Sequence, residues 1–257
     1  MKSNIKKRKI YSILNVSLPI VMLLAIVIVY AIVAKVTRVK MLVPSIPKIL
    51  DNFFDLFTQA EFYKSVGGTI GRAVAAYLLA IISAVALTAL TKAFSPLRKA
   101  LTPIVVLVRI LPTISIILLA LIWFNSRQAT IFVAYCVIFP MLYTSFCDAI
   151  ENVDKDLIEM SKVYGVDNKT QILRMYVPEA LPTIFTGLKS TVGLNLKLVI
   201  AAEVLAQTPF SMGVNMQLAK LNLDIAILMA WTLVALIIGG VFEGVTLLVE
   251  KKAVKGR

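Results

Sequence analysis

Residues 73–91 read AVAAYLLAIISAVALTALT, nineteen positions without a charge. A helix rises about 1.5 Å per residue, so this stretch alone nearly matches a hydrocarbon core of about 30 Å. Similar runs recur on both sides of it. Residues 11–34 hold 24 uncharged positions, residues 128–147 hold 20, and residues 225–242 are also clean. Two further stretches, about 102–124 and about 181–205, are apolar but interrupted, the first by Arg109 and the second by Lys189, Lys197 and Glu203. The chain reads as an all-α polytopic membrane protein with six transmembrane helices, at about 11–34, 70–92, 102–124, 128–147, 181–205 and 225–249.

Of the 257 residues, 59% are hydrophobic and 16% charged, against roughly 45–50% and 25% in a soluble domain. That argues against a soluble enzyme. The formal charge of +13 would suggest nucleic acid in a chain of ordinary polarity, but here membrane topology accounts for it and no nucleic-acid partner is expected. Cys136 and Cys147 lie in or at the end of an apolar run and His is absent, so neither a disulfide framework nor a zinc site is expected, and no cofactor. Lys6, Lys7, Arg8 and Lys9 precede the first run as in a secretory signal. A signal's apolar region is usually about 7–15 residues, so this longer run reads as a retained anchor.

Basic residues mark the cytoplasmic side of a membrane protein. With the N-terminus inside, sixteen Lys and Arg fall on cytoplasmic pieces and seven on external ones. This favours an N-in, C-in multi-pass protein of the cell membrane, with a basic N-terminus (1–10), an external loop (35–67), a five-helix core (68–250) and a basic tail (251–257). In the external loop, residues 47–57 place Ile49, Leu50, Phe53, Phe54 and Phe57 on one side at helical spacing, which predicts a helix lying in the membrane interface.

The cytoplasmic loop, 148–179, carries seven of the fourteen acidic residues and is the natural place for a cytoplasmic partner. It reads as two short helices. Leu157, Met160 and Tyr164 share a face of the first, and Gly165 supplies a left-handed stop. Asn168 and Gln171 resemble a capping box opening the second, and Pro178 and Pro182 flank the start of the fifth span.

The loop resembles the signature of binding-protein-dependent ABC importer permeases, E-A-A-x3-G-x9-I-x-L-P. Glu159-Met160-Ser161, Gly165, Met175, Val177 and Pro178 keep its spacing, with identity at Glu159, Gly165 and Pro178. Val43-Pro44-Ser45-Ile46-Pro47 is similar to the L-P-S-P segment of nitrate/sulfonate/taurine-type permeases, Thr69-Ile70-Gly71-Arg72 to their S-L-x-R, and Arg109-Ile110-Leu111-Pro112 to R-x-I-P. Leu121-Ile122-Trp123-Phe124, then Pro182, Gly187-Leu188-Lys189, Gly193 and Ala202-Glu203, extend the likeness over most of the chain.

The resemblance implies a type I importer. Two six-helix subunits, here a homodimer, would form the channel; a separate ABC ATPase would dock at the coupling loop, and an extracytoplasmic solute-binding protein would deliver the solute. Leu157, Glu159, Met160, Ser161, Tyr164, Gly165 and Pro178 are the expected coupling residues, with Glu159 anchoring the loop by charge-assisted hydrogen bonding. The substrate would be a small anion such as a sulfonate, taurine or nitrate; a vitamin precursor or other heteroaromatic nutrient is the alternative. No enzyme activity is expected of the chain itself. Gly67-Gly68-Thr69-Ile70-Gly71-Arg72 is its nearest approach to a P-loop and lacks the spacing and the Lys, so it reads instead as a Gly67-x3-Gly71 helix contact, as does Gly240-x3-Gly244.

Charges inside a membrane normally face a polar cavity or a partner. Lys197, with nearby Asn195, is expected to line the translocation pathway or its gate. Glu203 is placed at the external boundary as a gate or packing residue; Arg109 and Arg72 lie near helix ends, where headgroups or a neighbouring acid could satisfy them, with pore lining as the alternative and Arg109 a candidate for the pathway or gate. An ion-driven secondary transporter would also use intramembrane charges, but it should show internal repeats and acidic relays, and neither is found. A membrane scaffold without transport is a third class.

Overall fold

The computed structural model describes residue 18 and residues 21–22, 24–36 and 43–255. The basic N-terminus and most of residues 11–23 of the expected anchor lie outside this range. Every regular element described is a helix: α1 (Leu24–Val36), α2 (Ile46–Leu56), α3 (Ala60–Ala93), α4 (Ser95–Ile110), α5 (Thr113–Trp123), α6 (Ser126–Glu151), α7 (Lys155–Val163), α8 (Asn168–Gln171), α9 (Val177–Ala206), α10 (Met212–Leu221) and α11 (Ile225–Lys255). A π-helical turn, Ile172–Tyr176, joins α8 to α9.

Three helices, α3, α6 and α11, are long and apolar enough to cross a membrane, or four spans if the bent pair α4–α5 counts as one. At about 1.5 Å per residue the 30-residue α9 has the length as well, and its charges set it apart. The core lies where α3, α6 and α9 meet. On α3 it is made of small side chains at helical spacing: Ala73, Ala76, Ala80 and Ala84 are wholly buried, while Leu78, Leu79, Ile82 and Val85 point outward. Small residues inside and large apolar residues outside is the arrangement a lipid solvent favours, because association there depends on close packing. Ile138, Leu142 and Phe146 of α6 fill the opposing side.

Two expectations are corrected. The single span expected over residues 102–124 is two helices bent by 99°. Pro112 lacks an N–H and pushes Leu111 out of the helical region (ψ 130), so the chain cannot continue as a helix through the pair. The stripe expected on residues 47–57 is split. Ile49 and Leu56 are buried and Phe53 packs with Phe62 and Trp231, whereas Leu50, Phe54 and Phe57 stay exposed. Part of the face therefore belongs to the bundle. α1 joins the same end, where the Tyr30 hydroxyl donates to the Pro44 carbonyl (2.7 Å).

Candidate functional site

The loop between α6 and α9 is held together by a few polar contacts. α7 ends at Gly165, whose φ of +66 is the left-handed conformation that glycine adopts without strain, and the Val166 N–H closes back on the Ser161 carbonyl (3.0 Å). Gln171 donates to the buried Ser161 hydroxyl (2.6 Å), tying α8 to α7. The cap of α8 is Asp167, which accepts from the Thr170 N–H (3.0 Å); hydrogen bonding from Thr170 holds its carboxyl below the ordinary Asp range. The expected Asn168–Gln171 capping box is thus displaced by one residue, and Gln171 is a tie rather than a cap. Glu159 is exposed, and the anchoring role expected of it falls to Ser161. Pro178 closely follows the π-helical turn, where Tyr176 is still helical (φ −61, ψ −52), so the helix runs on through a residue with no N–H to give.

This framework leaves apolar side chains outward. Leu157, Met160 and Tyr164 are exposed as their shared face implied. Val163 (85% exposed), Ile172 and Leu173 join them, and these three were not singled out from the sequence. A signal for them existed, since bulky apolar residues in a polar loop have no core to enter.

Along α9 the polar residues divide into separate faces. Asn195 is buried and donates to the Ala73 carbonyl (2.9 Å). Lys197, two residues on and so about 200° round the helix, is exposed. The expected pairing of Asn195 with Lys197 on one pathway is therefore corrected. Lys197 lies with Glu243 and Thr232 in a cavity of about 580 Å³ between α9 and α11, lined also by Gly193, Gly239 and Gly240; it forms no ion pair with a described residue. At one end of the same cavity Lys189 pairs with Glu250 (2.9 Å). Adjacent on α9, Thr183, Thr186 and Ser190 face a second cavity of about 300 Å³, with Arg109 of α4 and Thr144, Ser145 and Asp148 of α6. Gly187 makes this approach possible, because a Cβ there would collide with the Ser145 hydroxyl.

Glu203 belongs to neither cavity. It is fully buried three residues before the end of α9, and it is saturated with donors: Arg72 Nε (2.8 Å), the Thr69 hydroxyl (2.9 Å) and the Gly213 N–H (3.1 Å). Arg72 also donates to the Phe210 carbonyl (3.0 Å), and the Met212 N–H to Thr69 (3.0 Å). The carboxylate thus caps α10, where a negative charge meets the positive end of the helix. Between α9 and α10, Gln207 and Phe210 adopt positive φ (47 and 51), and the network holds this strained turn. The residues Gly67–Arg72 lie inside α3. Gly67, Gly71, Gly240 and Gly244 meet nothing within 4 Å, whereas Gly68 is tight against the Phe210 carbonyl and Arg72.

A helical bundle with a sharply bent apolar helix pair, an apolar-faced loop and a polar stripe along one long helix has the form of a membrane transport subunit. The chain belongs to the binding-protein-dependent transport system inner membrane component family, whose model matches residues 76–255. It is 27% identical over 159 residues to the nitrate import permease protein of Leptolyngbya laminosa, covering 61% of this chain and 57% of that protein. It is 30% identical over 138 residues to the bicarbonate transport system permease protein of Synechocystis sp., covering 53% and 49%, and 26% identical over 154 residues to the taurine transport system permease protein of Escherichia coli, covering 59% and 56%. The matched part thus spans about half the length of these relatives. The fold is similar to a chain in the crystal structure of a bacterial ABC transporter involved in the import of the acidic polysaccharide alginate, with a TM-score of 0.67 at 16% identity, over 94% of this chain and 96% of that one.

Proposed function

We propose that this chain is the permease subunit of an ABC importer, conducting a small solute delivered by an extracytoplasmic binding protein and driven by a separate ABC ATPase. Six spans, N-in and C-in, are α1 with the residues before it, α3, the α4–α5 pair, α6, α9 and α11, around a five-helix core. The α7–α8 loop is then cytoplasmic and α2 external, and two copies form the channel. The observation that carries this reading is the loop itself: Leu157, Met160, Val163, Tyr164, Ile172 and Leu173 are exposed on a scaffold fixed by Ser161–Gln171. Apolar residues presented on a rigid element fit a groove on a partner.

The solute path follows the polar face of α9 through Thr183, Thr186, Ser190 and Lys197, with Arg109 opposite. Its hydroxyls and the cations Lys197 and Arg109, which stand beside Glu243 and Asp148, and the nitrate, bicarbonate and taurine relatives, support a small anion. Co-purification with the ABC ATPase of the same transport system tests the reading: the wild-type chain should retain it, and Glu159→Lys or Gly165→Pro should lose it with the permease still in the membrane. Uptake into vesicles that persists with no ATPase present would reject it.

A further inference from the structure

Where α3 ends, α4 begins and α6 ends, a cavity of about 380 Å³ opens to the surface. Three cations line it, Lys92, Arg98 and Lys99, against the single acid Glu151, and that acid is already paired with Arg98. Thr88 and Thr91 stand at its inner wall, both buried. The Thr88 hydroxyl meets the Cys147 thiol at 3.8 Å, a long contact with a weak partner. The N-terminus of α4 opens at the same place: Ser95 is its first residue, Pro96 has no N–H to offer, and the Leu97 N–H turns back to the Phe94 carbonyl (3.1 Å). Excess positive charge and the hydroxyls of Thr88 and Ser95 meet at one volume, donors of the kind that a phosphate monoanion or diester accepts from.

The surroundings identify the source of that phosphate. Leu90 (57% exposed) and Phe94 (60% exposed) flank the cavity, and α4 continues from it with an outward apolar face. A phosphate seated here would carry its attached chains along α3 and α4. We infer that the cavity binds the headgroup phosphate of an anionic phospholipid of the inner leaflet, a reading that rests on the N-in orientation proposed above. The inner leaflet is the negatively charged one, and basic pockets between helices on that side suit such headgroups. The site also touches the coupling machinery, since the Lys92 ammonium lies 5.1 Å from the centre of the Tyr176 ring in the turn that joins the loop to α9. Lipid occupancy therefore fixes the hinge of the coupling loop.

The test uses the full chain in nanodiscs of phosphatidylcholine with a minor fraction of phosphatidylglycerol, and native mass spectrometry after transfer to detergent. Wild type should retain phosphatidylglycerol preferentially, and Lys92→Gln/Lys99→Gln should reduce that retention at least tenfold. Lys251→Gln/Lys252→Gln, which removes the same charge elsewhere, should leave retention unchanged. Equal retention by wild type and the Lys92/Lys99 variant overturns the proposal. So does displacement of the lipid by millimolar inorganic phosphate, which would assign the cavity to a soluble anion. Labelling Ser95→Cys with a membrane-impermeant thiol reagent, against the parent chain in vesicles of known sidedness, reports orientation separately. Reaction from outside would remove the inner-leaflet assignment even where lipid retention holds.

Discussion

Glu203 and Lys197 lie six residues apart on α9, about 240° round the helix. One is wholly buried and the other exposed. Glu203 has donors from Arg72, Thr69 and Gly213 and holds a strained turn in place; nothing in its setting leaves room for a solute. Lys197 faces a cavity with Glu243 and lacks an ion-pair partner among the described residues. A charge in a membrane must be satisfied by protein or by water, so the first residue belongs to the framework, whereas the second is open to the proposed pathway. Substitutions on the two sides of this divide should fail in different ways.

The largest effect is expected at the lock. Arg72→Leu leaves Glu203 buried without its counter-ion, and stranding one member of a buried pair costs about 3–5 kcal/mol. Thermal unfolding in detergent should show a steep loss of stability. Replacing both, Arg72→Met with Glu203→Met, should recover only part of it: no charge is then stranded, but the Gly213 N–H and the Phe210 carbonyl lose their partners. If Arg72→Leu unfolds no more readily than wild type, the lock is not what holds α10. Gly213→Val comes next, because even a Cβ at that position lies 2.5 Å from the Glu203 Cβ. Overpacking of this kind costs about 1–3 kcal/mol, and a Tm unchanged by the substitution would contradict the tight approach.

The coupling loop should respond more weakly in stability and more strongly in assembly. Gln171→Leu removes the tie to Ser161, and one hydrogen bond is worth about 1 kcal/mol net. Hydrogen exchange should accelerate across residues 155–176 with the global Tm little moved, and ATPase binding should weaken. Unaltered exchange there would mean that the loop is held by other contacts.

What could be read from the sequence was local. The alanine spacing of α3, the left-handed Gly165 and the outward face of Leu157, Met160 and Tyr164 each depend on neighbours within a few turns. The break after Ile110 was also legible in principle, because Pro112 stands at it. The lock was not, since its partners are separated by 131 and 134 residues and no local pattern marks Thr69 or Gly213 as ligands of a carboxylate. Asn195 was grouped with Lys197 by closeness in sequence, whereas helical geometry puts two residues two apart on opposite sides.

The smallest stability change, and the sharpest test of the comparison, is expected at Lys197. If its face is the solute path, Lys197→Met removes an exposed charge from a wet surface and shifts stability by no more than about 0.5 kcal/mol. If the face met lipid instead, the same change would relieve an insertion cost of about 2.5–3.5 kcal/mol, and the variant would be markedly more stable than wild type. Unfolding measurements in bilayers separate the two outcomes without knowledge of the substrate. Transport adds the second half: ATP-driven uptake by the assembled importer should fall in Lys197→Met and be restored in part by Lys197→Arg, which keeps the charge. A stabilised variant with full uptake would place Lys197 outside the pathway and leave the Arg109 groove as the route.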